Sequence, residues 1–259
     1  MKDLTHIYDD EFFIKTAAEF QDKHHKNNDC DKTKSGKSDN KWKVLKDDFL
    51  RLTHHKCPIC ETDINTFDDI DHYRPKKHYD FMKCNYKNFI ILCNICNRTC
   101  KGEDFPCDSD FKAESIEDIS KEEPLLINPC VDKIYDYFCL EFRRSNSEQL
   151  LILVPHFKLK ENSLAYKKAE TTIAFYGLGD CLIGKDLKEC LKNKRVDNCR
   201  REFMKRMYGT FFDLIKAFDD YSNGKIDKES IQKIVETKKS LNYGFYQFII
   251  KQQFRINEI

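Results

Sequence analysis

Residues 57–102 carry Cys57-Pro58-Ile59-Cys60, then Asp71-His72-Tyr73-Arg74-Pro75-Lys76, then Asn88-Phe89-Ile90-Ile91-Leu92-Cys93-Asn94-Ile95-Cys96-Asn97, and close on Lys101-Gly102. Two C-x-x-C hooks stand 32 residues apart in this run. A two-residue spacer lets a tight turn aim both sulfurs of a hook at one ion, so Cys57, Cys60, Cys93 and Cys96 have the spacing of a tetrahedral zinc site. Four thiolates leave no open coordination position, so this zinc organises the chain and takes no part in chemistry. Such a site contributes on the order of 10 kcal/mol to folding, which a small hairpin cannot find from packing. The bracketed residues form a loop with fixed ends, holding an Asp-His pair, with an asparagine just past its close.

A short strand is expected over 68–72, a loop over 73–85, and a second, apolar strand over 88–92, with a helix starting near Cys96 and carrying Asn97 on its first turn. Where a strand end enters a loop, adjacent side chains can flank one cleft. There the Asp71 carboxylate can ligate a hard divalent ion, and the His72 imidazole, titrating near neutrality, can take a proton from water. Between His72 and Lys101 there are seven basic residues (Arg74, Lys76, Lys77, Lys83, Lys87, Arg98 and Lys101) against the single acid Asp80, while 102–123 carry nine acids and two lysines. That local asymmetry marks a field that draws in phosphate, with Arg74, Lys76, Arg98 and Lys101 as candidate nucleic-acid contacts. A solvated charged face is the plainer alternative.

Upstream, Phe13, Ala17 and Phe20 recur at helical spacing over 9–25, with Asp9 or Asp10 as cap. Residues 26–40 form a polar linker, and a second helix with Leu45, Phe49 and Leu52 on one face follows a cap at Asp39 or Asn40. Downstream, residues 103–121 read as a solvated acidic loop. Tyr135–Phe142 and Gln149–Val154 read as a hairpin. From Leu159 onward the pattern is helical: Phe203, Met207, Phe211, Leu214 and Phe218 precede a stop at Ser222-Asn223-Gly224, and Ile231, Ile234, Leu241, Phe245 and Phe248 follow Asp227.

The chain has 259 residues, net charge +1 and 34% charged residues, so global charge decides nothing about partners. Thirteen cysteines, an odd number with four in zinc spacing, point to a reducing, cytoplasmic setting in which the remaining cysteines are buried or incidental thiols. No apolar run is long enough to cross a membrane, and no Gly-rich phosphate loop is present, which excludes an ATPase within these residues.

The run over roughly 55–106 resembles the HNH nucleases, through Asp71-His72 with Pro75 three positions on, Asn88 ahead of an apolar strand, and Asn97 behind the second hook. With Phe105-Pro106 and Glu123-Pro124-Leu125-Leu126-Ile127-Asn128-Pro129 added, it is most similar to the PtuB-type HNH nucleases of bacterial Septu and related retron defence systems. The resemblance implies an α+β fold: a zinc-stabilised ββα-metal core over 55–130, N-terminal helices and polar linker over 1–54, and a hairpin with a C-terminal helical region over 131–259. It also implies that Asn97 joins Asp71 as ligand to a catalytic Mg²⁺ or Mn²⁺, that His72 is the general base, and that Asn88 ties the loop to the site. The expected activity is metal-dependent phosphodiester hydrolysis, of DNA in the first place, in an anti-phage setting with a separate ATPase partner. The competing readings are a non-catalytic zinc-ribbon module that binds nucleic acid or scaffolds, and the same nuclease acting on RNA.

Overall fold

Asp10 opens the first long helix by accepting a hydrogen bond from the Phe13 amide, and α1 (Glu11–His24) buries Phe13, Ala17 and Phe20 at the expected spacing. The structure, a computed structural model, describes residues 1–31, 40–65, 68–145, 148–179 and 211–240, with 204, 207–209 and 244 besides. Its helices and two small antiparallel sheets make an α+β chain. By contacts it divides into one unit of Asp3–Lys133 and a second of Met1–Lys2 with Ile134–Ile259.

In the first unit, the segment before the second helix starts as a 3₁₀ turn, Lys41–Leu45, and only then becomes α2 (Lys46–Thr53). Asn40 stands at the cap position without a side-chain cap bond, and Asp39 lies outside the described residues. The 3₁₀ geometry eclipses i and i+3, which turns Trp42 and Leu45 inward together, and both are buried. α2 ends through His54 and His55, both left-handed (φ 50° and 57°), and the His55 amide bonds back to the Leu50 carbonyl at 2.9 Å. This sharp stop delivers the chain to the first cysteine hook.

β1 (Asp69–His72) and β2 (Phe89–Leu92) pair antiparallel, from Asp69 opposite Leu92 to His72 opposite Phe89. β2 is buried along its whole length, which is why it reads as an unbroken apolar run. Helices cover the sheet on the Phe89 side through a chain of ring contacts: Phe20–Phe89 (5.6 Å), Trp42–Phe89 (5.9 Å) and Phe13–Phe49 (5.2 Å). The helix after the second hook is not α but a wide π-type turn, Ile95–Lys101. It closes with the Gly102 amide on the Asn97 carbonyl at 2.7 Å, and Gly102 takes the positive φ that ends it (53°).

The loop between the strands is pinned from outside. Cys30 and Cys84 form a disulfide across 54 residues of sequence, which corrects the expectation that both are incidental thiols. Around it, Asn28 donates to the Asp80 carboxylate (2.7 Å), and Asp31 pairs with Lys83 (3.3 Å). The polar segment at 26–31 is thus an anchor for residues 80–84; residues 32–39 lie outside the described set. Acidic residues 103–121 contain one 3₁₀ turn, Ile119–Lys121.

In the second unit, residues expected to begin the hairpin form a single helical turn, α3 (Ile134–Tyr137), and the strands follow it: β3 (Phe138–Ser145) and β4 (Glu148–Pro155). α4 (Leu164–Tyr176) is capped by Ser163 and stopped by left-handed Gly177. α5 (Phe212–Ser222) ends at Asn223, as the stop signal predicts, and α6 (Lys228–Ser240) follows Asp227, whose carboxylate accepts the Ser230 amide. Phe203, Leu241, Phe245 and Phe248 fall outside the described residues. Among the described residues, no helix is long and apolar enough to cross a membrane.

Asp68 joins the two hooks to the hairpin. Its buried carboxylate accepts the Asn65 amide at 2.8 Å and the Asn94 amide at 2.7 Å. Asp68→Ala strands two backbone donors and is expected to cost about 1–3 kcal/mol in urea unfolding. Asp63→Ala, which removes only the exposed partner of Lys56, should leave the midpoint nearly unchanged. Equal midpoints for the two variants would remove Asp68 from this role.

Candidate functional site

The four hook cysteines converge. All are buried, and the Sγ atoms of Cys57, Cys60, Cys93 and Cys96 lie within 4.8 Å of one another. Cys60 and Cys93 are 3.6 Å apart, close to the edge of a sulfur tetrahedron around zinc, about 3.8 Å for bonds of about 2.3 Å. The first hook is a tight turn: the Cys57 amide bonds the Thr62 carbonyl and the Glu61 amide the Cys57 carbonyl, both at 2.8 Å. Glu61 takes a left-handed φ of 61°. The second hook runs from the end of β2 into the wide helix, where the Asn97 amide bonds the Cys93 carbonyl at 2.9 Å. Burial holds the Cys57 and Cys96 thiols well above their usual range, so only a bound cation favours the thiolates. Four sulfurs at this spacing can hold a zinc ion.

Beside this cluster, β1 sends Asp71 and His72 to different surroundings. His72 is buried, edge-on to Trp42 (4.7 Å between ring centroids) and to Phe89 (5.1 Å). Its Nε2 lies 2.9 Å from the Lys83 carbonyl. A carbonyl only accepts, so Nε2 carries the proton and donates it, and Nδ1 keeps the free lone pair. Burial, and next to it the nearby Lys76 and Lys101 charges, lower the His72 pKa to about 4 despite the carbonyl. The ring is therefore neutral at ordinary pH.

Asp71 turns to the wide helix. Its Oδ2 lies 2.8 Å from the Lys101 ammonium. Both atoms are buried, and neither has a further hydrogen-bond partner. The carboxylate also accepts the His72 backbone amide. Burial pushes its pKa up, against the pull of Lys101.

Asn88 is fully buried and clasps the loop. Its Oδ1 accepts the Arg74 amide at 2.8 Å, its Nδ2 donates to the Arg74 carbonyl at 3.0 Å, and its own carbonyl accepts the Tyr73 amide at 2.7 Å. Asn97 is half-buried, third in the wide helix, behind Asn94 at the cap position. It therefore does not cap that helix.

The candidate phosphate contacts divide by exposure. Arg74 is committed to Glu122 (2.8 Å) and lies over the Phe105 ring, and Lys101 is buried on Asp71. Lys76, over the Trp42 ring, and Arg98, with Asp69 at 3.4 Å, keep exposed head groups. Sequence reasoning missed the Lys83 carbonyl, Trp42, Glu122 and the Cys30–Cys84 bond. A backbone acceptor has no residue signature, whereas Trp42, the lone tryptophan, was visible and passed over.

No family model matches the chain, and no solved structure does. The chain is 30% identical over 150 residues to the Septu protein PtuB of Bacillus mycoides, an alignment covering 52% of this chain and 46% of that protein. It thus spans less than half the length of this relative.

The purified chain is expected to hold about one zinc by elemental analysis, and Cys57→Ser to lose it together with cooperative unfolding; unchanged zinc in that variant would assign the metal elsewhere. For His72, the folded value near 4 lies below the ordinary 6.5. Between the two the unfolded state binds the extra proton, so the stability from burying the neutral ring is complete above pH 6.5 and is lost as pH falls towards 4. His72→Gln, which cannot titrate, should show a shallower fall in melting temperature across that window. Equal slopes would mean the ring is not held neutral by the fold.

Proposed function

We propose that the β1–β2 hairpin and the wide helix form a ββα-metal core of the HNH kind, and that the chain is a metal-dependent endonuclease of nucleic acid. The observation that carries this reading is the His72 ring, neutral and fixed in one tautomer by the Lys83 carbonyl, directly following Asp71, whose buried Oδ2 meets only the Lys101 ammonium. A binding module gains nothing from burying a carboxylate oxygen against a buried ammonium, an arrangement whose desolvation costs folding free energy. Similarity to a Septu protein PtuB supports a role in bacterial anti-phage defence, and the family resemblance adds a separate ATPase partner to this reading.

In this reading His72 Nδ1 takes a proton from water, and the resulting hydroxide attacks phosphorus in line with the 3′-oxygen, leaving 5′-phosphate and 3′-hydroxyl ends. The Lys83 carbonyl holds the imidazolium that forms, and an anionic phosphodiester near the ring raises its proton affinity from the value it has in the free protein. Asn88 keeps Tyr73 and Arg74 in place behind the base, and Arg98 and Lys76 meet flanking phosphates with their exposed heads. The oxygen donors Asp71 and Asn97 suit a hard ion such as Mg²⁺ or Mn²⁺ and fit the unsatisfied Oδ2. When bound, that ion supplies charge neutralisation at the phosphorane and leaving oxygen.

The test is cleavage of DNA and RNA oligonucleotides in Mg²⁺ or Mn²⁺, with the ATPase partner present if one is required. His72→Ala should lose about 10²–10⁴-fold in rate while keeping zinc and a cooperative unfolding transition, its melting temperature lowered by the cavity it leaves beside Trp42 and Phe89. Asp71→Ala should be inactive, and Asn97→His should shift the preference towards softer ions. Wild-type cleavage by His72→Ala would place the active site elsewhere, and RNA-only cleavage would change the substrate.

A further inference from the structure

Lys101 is the anomaly of the site. Lysines at a surface run their stems along apolar groups and keep the ammonium in water, but this side chain is 1% exposed. An ammonium has three protons to donate, yet Nζ meets only Asp71 Oδ2, at 2.8 Å, and that oxygen has no other partner. A single ion pair with no further partners leaves much of the desolvation of its two buried charged atoms uncompensated. Lys101 is also the last residue of the wide helix, followed by Gly102 in a left-handed conformation. Its four-carbon stem therefore starts at a helix end, one turn from Asn97, and can swing without unwinding the element. Exposed Arg98 precedes it by three residues.

We propose that Lys101 is an internal counter-cation that occupies the place of the divalent ion at Asp71 and yields it when nucleic acid draws the ammonium onto phosphate. This rests on the reading of Asp71 as a metal ligand. An ammonium 2.8 Å from Oδ2 and a dication on the same oxygen repel each other too strongly to share it. Metal therefore enters only as Lys101 leaves, and a phosphate is the partner that recovers the ammonium's lost hydrogen bonds. Metal loading and substrate binding are thereby coupled: the chain without nucleic acid holds the ion weakly, and nucleic acid raises its affinity.

The experiment measures Mn²⁺ binding by the loss of the free-ion electron paramagnetic resonance signal. It uses the zinc-loaded full chain, alone and with a short phosphorothioate DNA duplex that resists cleavage. Wild type should bind Mn²⁺ weakly alone and more tightly with the duplex. Lys101→Met, similar in length and uncharged, should bind Mn²⁺ about tenfold or more tightly than wild type without DNA, and gain little further from the duplex. Lys101→Gln replaces it if the methionine variant fails to fold. Should Lys101→Met bind Mn²⁺ no more tightly than wild type while Asp71→Asn abolishes binding, the counter-cation proposal falls and the metal site stands. Should Asp71→Asn bind Mn²⁺ like wild type in every arm, the metal site falls and takes the proposal with it.

Discussion

Convergence of four cysteine sulfurs is the constraint on which the Asp3–Lys133 unit depends. A two-stranded hairpin four residues long is at best marginal in water, and here each strand has only four residues. The sulfurs of Cys57, Cys60, Cys93 and Cys96 close the loop that contains both strands, and Asp68 ties the backbone of the second hook to the start of β1. With these ends fixed, the register between Asp69–His72 and Phe89–Leu92 follows, and with it the directions in which Asp71 and His72 project. The disulfide between Cys30 and Cys84 performs a second closure on the far side of the same loop, next to the Lys83 carbonyl that fixes the His72 ring.

Polar groups inside this unit fall into two kinds. Asn88 is satisfied: its side-chain amide and its carbonyl meet backbone groups of Tyr73, Arg74 and Met82, and it acts as a rigid clasp. Arg74 is satisfied as well, by Glu122. Asp71 Oδ2 and Lys101 Nζ have only each other. This ion pair at 2.8 Å is one of a few places, with Asp31 Oδ1, Asn40 Oδ1 and Ser109 Oγ, where buried polar atoms lack a well-formed hydrogen bond among the described residues.

What could be read from the sequence was local. The cysteine hooks were legible because metal ligation demands short, fixed spacers. α1 was legible from its apolar period and its Asp10 cap, and β2 from an unbroken apolar run. What could not be read depends on long-range geometry. Cys30 and Cys84 are 54 residues apart with nothing local to pair them, and Arg74 and Glu122 meet across 48 residues. The acceptor that orients His72 is a main-chain carbonyl, which any residue supplies. Lys101 reads in the sequence as a candidate phosphate contact, because charge alone does not tell a buried ammonium from an exposed one. The helix after Cys96 was foreseen, but not its width, since a π turn differs from an α turn by one hydrogen-bond partner.

The proposed function puts a separate oxygen-held ion on this hairpin beside the cysteine-held one, placed for phosphodiester hydrolysis. The most direct measurement is anomalous diffraction at the zinc and manganese edges, from crystals grown with Mn²⁺ and an uncleavable DNA duplex. The account predicts a zinc peak among Cys57, Cys60, Cys93 and Cys96, and a manganese peak touching Asp71 Oδ2 and Asn97, with a phosphate beside His72 Nδ1. Manganese absent from Asp71 while DNA is bound, or DNA bound away from β1, would contradict it.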